Sequence, residues 1–371
     1  MKPNKVLHIV GSISRTLLAL TFLFSGLVKA IDPLGTVYKI EDYLKAFGGF
    51  FTDLMPLAAT AAVCLILFEC VMGICLLCNI KTQWTAWLSL VFYAVMLPLT
   101  LYIALTNPVS DCGCFGDALV LTNWQTFWKN VVLMALVIIL LVCRRHIPST
   151  FSWWAELTLC LLSAAAALGL MAYTYYHLPL MDFRPYKIGN HIPTLMEYPE
   201  DAPQDVYEIS FVYAKDGEEH TFTLEDYPKD DPAWTFVRQN SRLVSKGYEP
   251  PVHDFEILNA DYEDITYDLL ESDEKVILVV MYDMQKSDLS QLPKILSLKR
   301  NAEQRDETFC LVTGSGTEAI ETFLACDGAE ELREAVCTCD PVTLKTIVRA
   351  NPGVVEMKNG TIINKYNLRN K

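Results

Sequence analysis

The first half of the chain is dominated by long apolar runs that short polar segments separate. Each run is close to the ~20 mostly apolar residues that a helix needs to cross the hydrocarbon core of a bilayer. The pattern predicts five membrane-spanning helices, at residues 6–31, 55–78, 84–105, 124–143 and 151–176. We interpret the first run as a retained helix and not as a signal peptide, because it contains Arg15 and lacks a small-residue cleavage site.

The pattern changes after the fifth run, where residues 182–251 form an acidic connecting segment. Residues 206–213 alternate as a strand, Lys215-Asp216-Gly217 turns the chain, and residues 220–224 return, which predicts a hairpin. Residues 232–247 have the apolar spacing of a helix, carried by Trp234, Phe236, Val237 and Leu243. We expect this segment to be a spacer or lid that holds the last domain at the membrane.

From residue 252 onward, strands and helices alternate. Strands are predicted at residues 276–283, 308–313, 334–339, 353–357 and 361–366, and helices at residues 289–302, 317–326 and 342–350. This order indicates a mainly parallel sheet that ends in an antiparallel hairpin across an Asn-Gly turn. The expected architecture is therefore a four-helix membrane unit (residues 1–146), a fifth membrane helix (147–181), the connecting segment and an α/β domain (252–371).

The charge divides at the same boundary as the hydrophobic pattern. The 371 residues carry a formal net charge of −14, yet residues 1–181 hold ten Lys and Arg against eight Asp and Glu. This split excludes a single soluble domain. The acidic second half would repel a phosphate backbone, so we expect the lipid bilayer as a partner and no nucleic acid.

The basic residues between the runs predict the orientation of the bundle. The segments on one side of five crossings carry Lys2, Lys5, Lys81, Arg144 and Arg145. The positive-inside rule makes that side cytoplasmic. The loops at residues 32–54 and 106–123, and everything after the fifth helix, are then expected to be periplasmic in a bacterial inner membrane.

Two ionisable residues, Arg15 and Glu69, are expected within the spans at similar depth. Charges inside a bilayer are costly and are usually paired. We predict an Arg15–Glu69 pair between neighbouring helices, either as a device that fixes helix register or as a polar contact for a quinone or a proton.

Six of the twelve cysteines lie in or at the ends of the spans, where cysteine usually serves as a small packing residue: Cys64, Cys70, Cys75, Cys78, Cys143 and Cys160. Cys75 and Cys78 have a C-x-x-C spacing that places both on one helix face. Metal or redox use of that pair is the minor alternative.

Cys112 and Cys114 lie in the short loop Asp111-Cys112-Gly113-Cys114-Phe115-Gly116-Asp117. In an oxidising compartment they would pair with each other, with another cysteine or with the thiol of a partner. A disulfide between residues so close would be strained, and strained disulfides exchange readily. A static structural disulfide is the alternative, whereas a metal site would have too few ligands even with Asp111 or Asp117. We predict a candidate redox pair and no metal.

Two motifs resemble a known membrane family. The stretch from Leu17 to Pro33, with Ser25-Gly26 and Lys29, resembles the opening of DoxX-type proteins, and the Cys112–Gly116 loop resembles the methylamine-utilisation MauE proteins of the same superfamily. MauE-type proteins are implicated in supporting a disulfide-rich periplasmic enzyme together with a thioredoxin-like partner, and DoxX relatives include a subunit of a thiosulfate:quinone oxidoreductase. The resemblance implies that Cys112 and Cys114 are redox-competent and that the bundle contacts a quinone.

Residues 252–371 resemble the thioredoxin fold in their order of elements, in His253-Asp254-Phe255, and in Asn351-Pro352-Gly353 before the closing hairpin. Pro352 would occupy the place of the cis-proline of that family. Thioredoxin-type exchange needs a C-x-x-C at the start of the first helix. The corresponding stretch here is Tyr282-Asp283-Met284-Gln285-Lys286-Ser287, which has no cysteine. We therefore expect a thioredoxin-like domain that does not itself exchange thiols.

The last domain retains Cys310, Cys326, Cys337 and Cys339. Alternation along a strand places Cys337 and Cys339 on one face. They are interpreted as buried residues or a structural disulfide with Cys310 or Cys326, with a second exchange-competent pair as the alternative.

No phosphate-binding loop, dinucleotide fingerprint or His-Glu-x-x-His motif occurs in the chain. The expected function is that of an accessory protein that supports the thiol–disulfide state or the maturation of an extracytoplasmic client. The alternatives are a non-enzymatic scaffold that binds a partner through the degenerate domain, and a quinone-linked oxidoreductase subunit.

Overall fold

A computed structural model of the chain describes residues 5–109, 111–149, 151–215, 217–229, 231–245 and 247–370, with the side chain of Leu243 also left out. Lys2, from the orientation prediction, and Asp216, from the predicted hairpin turn, lie outside the described residues. The described residues divide into two compact units, one within Met1–Asn190 together with Glu256–Lys371, and one formed by His191–Phe255.

The first half of the chain is helical. Its helices are α1 (Lys5–Ile31), α2 (Pro33–Phe47), α3 (Ala58–Leu77), α4 (Thr82–Thr106), α5 (Asn123–Cys143) and α6 (Trp153–Tyr176). Among the described residues, five segments are long and apolar enough to cross a membrane, namely α1, α3 with its preceding 3-10 turn, α4, α5 with its following turn, and α6. The prediction of five long apolar helices is confirmed.

The segment after α1 is not the open loop that the hydrophobic pattern predicted, since it contains the helix α2. Asp32 is the N-cap of α2: its carboxylate accepts a hydrogen bond from Gly35 N at 3.0 Å, and Pro33 occupies the first turn. Asp32 thus pairs one of the backbone N–H groups that the start of a helix leaves free, and Pro33 has no N–H that would need a partner. The 3-10 segment Gly49–Leu57 then leads into α3.

Helices α1 and α3 pack at close range because glycines lie on their contact faces. A Cβ atom added at Gly26 would lie 2.9 Å from Cys70 N, and one added at Gly73 would lie 2.6 Å from Leu23 Cγ. On the α4 side, the fully buried Phe22 contacts Phe92 with ring centroids 5.4 Å apart. These contacts fix the register of α1 against α3, which determines the depth of every charged residue on the two helices.

The unit His191–Phe255 contains α7 (Ile192–Met196) and the strands β1 (Val206–Lys215), β2 (Glu218–Thr223) and β3 (Thr235–Ser245). Its antiparallel sheet has the order β2-β1-β3. The predicted hairpin is confirmed, but the predicted helix at residues 232–247 is wrong, because residues 235–245 of this stretch form β3. Pairing of β3 along β1 satisfies its backbone groups in the sheet, and its β-branched and aromatic residues suit a strand.

The rest of the first unit is the α/β region, residues 256–370. It contains α8 (Thr266–Leu270), β4 (Lys275–Met281), α9 (Leu292–Glu303), β5 (Thr308–Thr313), α10 (Thr317–Leu324), β6 (Val336–Thr338), α11 (Pro341–Ile347), β7 (Gly353–Lys358) and β8 (Thr361–Asn367). The sheet order is β6-β5-β4-β7-β8, with β4, β5 and β6 parallel and β7 and β8 antiparallel. The predicted order of strands and helices is thus confirmed, and the Asn351–Pro352 peptide bond is cis.

Candidate functional site

Residues 111–117, termed the CxC loop, connect α4 to α5 at the end of the bundle where α2 lies. The cap of α5 stands just beyond the loop, where Thr122 and Gln125 form a reciprocal capping box. Gly113 has φ +64°, and a Cβ there would lie 2.6 Å from Lys39 Cγ on α2. Glycine is therefore required between the two cysteines, because the backbone is left-handed and lies against α2.

The two thiols of the CxC loop face each other. The Sγ atoms of Cys112 and Cys114 lie 2.8 Å apart, and Cys112 is 8% exposed. The hydrogen bond from Cys112, opposed by burial and assisted by Lys129 and Lys29, lowers the pKa of Cys114 to about 6. The same hydrogen bond, together with burial, raises the pKa of Cys112. These opposite shifts favour the thiolate at Cys114 over the thiolate at Cys112.

A buried ion pair lies directly beneath the loop. Lys29 Nζ is 2.8 Å from Glu69 Oε2, and the two residues are only 5% and 4% exposed. Lys29 also donates to Ser25 Oγ at 2.6 Å and to the carbonyl oxygen of Cys114 at 2.7 Å. All three ammonium hydrogens are therefore used. The pair is fully hydrogen-bonded, and it holds the loop through the backbone of Cys114.

Three further contacts hold the loop. Tyr43 on α2 donates to the carbonyl oxygen of Cys112 at 2.8 Å, and Lys39 pairs with Asp111 at 2.9 Å. On the other side, Lys129 Nζ lies 4.2 Å from the ring centroid of Phe115. The loop is consequently fixed by α1, α2 and α5 together.

The predicted pair between Arg15 and Glu69 is wrong. Glu69 pairs with Lys29, and Arg15 donates to the carbonyl oxygens of Leu76 and Leu77, at 2.8 Å for Leu77. The packing of Leu23 on Gly73 explains this outcome. Arg15 lies eight residues before Leu23, or ~12 Å along the helix, and so reaches the end of α3, where the last carbonyls have no helical partner.

A cavity of about 230 Å³ lies beside the two cysteines. Its walls include the apolar side chains of Leu65, Phe92, Met96 and Leu99 from α3 and α4. Cys112, Cys114, Lys29 and Glu69 line its polar side. Residues 179–184, termed the roof segment, contribute Pro179, Met181, Phe183 and Arg184. An apolar pocket with a few convergent polar groups is typical of a small-molecule site.

The α/β region supplies a buried arginine to the same end of the bundle. Arg349 is 7% exposed, and its guanidinium lies 2.9 Å from Asp32 Oδ2 and 3.2 Å from Asp117 Oδ2. It therefore joins the cap of α2 to the end of the CxC loop. Nearby, Tyr38 of α2 and Tyr282, at the end of β4, share a hydrogen bond of 3.0 Å.

The cysteines of the α/β region are placed differently. Cys337 is in β6, Cys339 follows it, and both are buried, at 4% and 8% exposure. Cys337 contacts Cys310 on the neighbouring strand β5; this contact and burial raise the pKa of Cys310. Pro352 precedes β7, and the neighbouring side chain of Asn351 donates to the carbonyl oxygen of Asp283 at 2.7 Å. The structure brings none of these residues to the CxC loop.

In the C-x-x-C spacing at residues 75–78, Cys75 Sγ lies 3.4 Å from Cys160 Sγ of α6. Within the described part of the chain, no group of three or more His, Cys, Asp and Glu side chains is placed to hold a metal ion.

Sequence reasoning missed Lys29, Ser25, Lys129 and Arg349. Lys29 and Lys129 could have been found, because both lie inside predicted spans and a charge there signals a partner or a function. Arg349 offers no local signal, because its partner Asp32 is 317 positions away in the chain.

The helical bundle is similar to a known protein family. Residues 7–143 match the family model of the methylamine utilisation protein MauE, and residues 207–246 match a domain of unknown function, DUF8463. No curated protein and no solved structure matches the chain. The MauE match covers α1 to α5 and includes both cysteines of the CxC loop. The first part of this chain is therefore similar to MauE, and its long apolar helices are those of a multi-pass membrane protein that continues into an α/β region.

Proposed function

We propose that this protein is an accessory protein of a bacterial inner membrane whose Cys112–Cys114 pair exchanges thiols and disulfides with an extracytoplasmic client. The observation that carries the proposal is the contact of Cys112 Sγ and Cys114 Sγ at 2.8 Å, in which the hydrogen bond from Cys112, together with Lys129 and Lys29, lowers the pKa of Cys114. A thiolate is the nucleophile in disulfide exchange, and nearby cations favour it.

The exchange takes place in two steps. The thiolate of Cys114 attacks one sulfur of a client disulfide, forms a mixed disulfide and releases the other client sulfur as a thiolate, which takes up a proton. Cys112, after losing its proton, then attacks Cys114 Sγ and releases the second client thiolate. The client disulfide is reduced to two thiols, and two protein thiols become the Cys112–Cys114 disulfide. The reverse sequence oxidises the client, and the relative reduction potentials determine the direction.

The proposed orientation places the CxC loop outside the cytoplasm. The loop, α2 and the α/β region meet at one end of the bundle through Arg349. The segment that contains Lys81, which pairs with Glu156 at 3.1 Å, lies at the opposite end of α3 and α4. The positive-inside rule assigns that opposite end to the cytoplasm.

The α/β region is proposed to be thioredoxin-like without its own dithiol. Support comes from the sheet order β6-β5-β4-β7-β8, in which three parallel strands adjoin a closing antiparallel hairpin. The stretch after β4, Asp283 to Lys286, contains no cysteine. A tethered domain that binds a client raises the local concentration of that client near the CxC loop.

Thiol trapping in membranes tests this function. Cys112→Ser leaves the attacking thiolate but removes the thiol that resolves the mixed disulfide, so a covalent adduct with the client should accumulate and disappear on reduction. Cys64→Ser, at an exposed cysteine of α3, is the matched control and should trap nothing. If neither Cys112→Ser nor Cys114→Ser traps a client and the pair stays in one redox state under reductant, a binding scaffold would be the better description.

The cavity beside the pair favours a second candidate function, that of a quinone-linked oxidoreductase subunit. Its apolar wall from α3 and α4 and its polar side at Lys29 suit a ring with polar substituents, and about 230 Å³ holds one such ring. A quinone would accept two electrons and two protons from the dithiol. Met96→Trp, which fills the cavity, should slow reoxidation of the pair by added ubiquinone analogue while leaving client trapping intact.

A further inference from the structure

The α/β region contacts the bundle at two places near the dithiol, the CxC loop and the roof segment. The first attachment is Arg349, which reaches from the end of α11 to Asp32 and to Asp117 of the CxC loop. Asp117 is only three residues after Cys114, and Arg349 also donates to the carbonyl oxygen of Lys345 in its own region. A buried arginine with these partners holds the loop against the α/β region as a fixed bridge.

The second attachment is to the roof segment. Asp182 pairs with Lys365 of β8 at 2.7 Å, and Arg184 donates to the carbonyl oxygen of Thr346 at 2.8 Å. Asp182 and Arg184 also pair with each other at 2.8 Å. Arg184 and Lys365 are both buried, at 4% and 8% exposure. Because the roof segment lines the cavity of the two cysteines, the α/β region also fixes the covering of that cavity.

The face used for this attachment is the one where a thioredoxin-like domain would carry its dithiol. Tyr282 lies against Tyr38 of α2, and the side chain of Lys345 covers the ring of Tyr38 at 4.8 Å. This stretch therefore contacts the bundle of its own chain. In this arrangement Cys112 is buried and Cys114 is only partly exposed.

We propose that the α/β region is a removable cover over the dithiol and that Arg349 is the positioning residue that keeps it closed. The inference rests on the proposed function, since it describes how a client protein gains access to the same two thiols. A protein client reaches Cys114 after the bonds of Arg349 to Asp32 and Asp117 separate. A small reagent reaches the thiols through the cavity without that step.

Size-dependent alkylation of the full-length protein in membranes tests the cover. After reduction, Cys112 and Cys114 are exposed either to N-ethylmaleimide or to a polyethylene-glycol maleimide too large for the cavity, and the residual thiols are counted by mass spectrometry. Arg349→Gln should raise the rate with the large reagent by about tenfold or more, since charge-assisted hydrogen bonds that hold the closed state are lost. The rate with N-ethylmaleimide should change much less.

Matched variants distinguish opening of the cover from a general destabilisation of the protein. Arg300→Gln removes an arginine that pairs with Glu331 on the exposed surface of the same region, and it should leave both rates unchanged. Arg349→Lys should restore part of the protection. If Arg349→Gln does not accumulate in membranes, Asp117→Asn tests the same bridge from the loop side.

Equal rates for the large reagent in wild type, Arg349→Gln and Asp117→Asn would overturn the proposal, as would equal acceleration of both reagents. These readouts do not require turnover. Failure of client trapping would therefore refute the proposed function while the size-dependent result still decides whether the α/β region is a cover.

Discussion

Two pairs of neighbouring cysteines in this chain have different surroundings. Cys112 and Cys114 line a cavity, and the ammonium groups of Lys129 and Lys29 help to lower the pKa of Cys114. Cys310 and Cys337 lie on adjacent strands, where burial and the contact between the two thiols dominate their pKa values. Proximity of two thiols is common to both pairs. Nearby cations and a path for a partner distinguish the pair that we expect to react.

The residues that surround the two cysteine pairs also differ. The sheet needs Cys310 and Cys337 only as small side chains that fill space. The bundle instead maintains a buried ion pair, Lys29–Glu69, directly against the backbone of Cys114. A buried ion pair is a costly way to gain stability alone, so its position beside Cys114 is the informative feature.

The largest effect is expected at that ion pair. Lys29→Met leaves Glu69 as a buried carboxylate without its cation, and we expect a loss of about 3–5 kcal/mol in the free energy of unfolding. The double variant Lys29→Met/Glu69→Leu should recover most of that loss, because both charges are gone. Denaturant unfolding in detergent measures both. If Lys29→Met were as stable as wild type, the expectation that the Lys29–Glu69 pair stabilises the folded protein would be wrong.

An intermediate effect should separate the two cysteine pairs. Cys337→Ala opens a small cavity in the sheet and should cost about 1–2 kcal/mol of stability while client trapping by Cys112→Ser continues. Loss of trapping in the Cys337→Ala background would show that the buried pair takes part in exchange.

The pH dependence of alkylation should also distinguish the pairs. Because the pKa of Cys114 is lowered to about 6, its thiolate persists above that pH and is lost as the pH falls through it. The rate with N-ethylmaleimide should therefore level off well below the ordinary thiol pKa of about 8.5. Lys129→Gln should move the midpoint upward. If the alkylation rate instead rose with a midpoint near the pKa of free cysteine, the claim that nearby cations distinguish the Cys112–Cys114 pair would be wrong.

The smallest effect is expected at the surface of the α/β region. Arg300 and Glu331 are both exposed, so Arg300→Gln should change stability by less than about 1 kcal/mol. Thermal unfolding and the redox state of Cys112 in membranes should both match wild type. A larger change would indicate that this surface has a partner in the membrane.

Local patterns predicted the membrane helices and the strand order well. Apolar length alone identifies a span, and alternation of strands with helices restricts the sheet to a few arrangements. The helix predicted at residues 232–247 is wrong, because the spacing of Trp234, Phe236 and Val237 is compatible with either a helix or a strand. Pairing with β1 decided the outcome, and pairing is not visible in a local window.

The helix α2 and the partner of Glu69 likewise could not be predicted from the hydrophobic pattern alone. Asp32-Pro33 is a helix-start signal that outweighs the polar composition of the stretch that follows it. The choice of Lys29 over Arg15 as the partner of Glu69 depends on the packing of Gly26 and Gly73, which sets the relative depth of two helices. Counting residues from the predicted ends of the spans cannot supply that register.

The sequence by itself determined the membrane half, the order of elements in the α/β region and the candidate Cys112–Cys114 pair, because each depends on residues that are close in the chain. Only the tertiary structure decided which cations lie near Cys114 and which residue links the loop to the α/β region. Lys29 and Arg349 act on the loop from 85 and 232 positions away. Such contacts follow from packing, and no local pattern of residues specifies them.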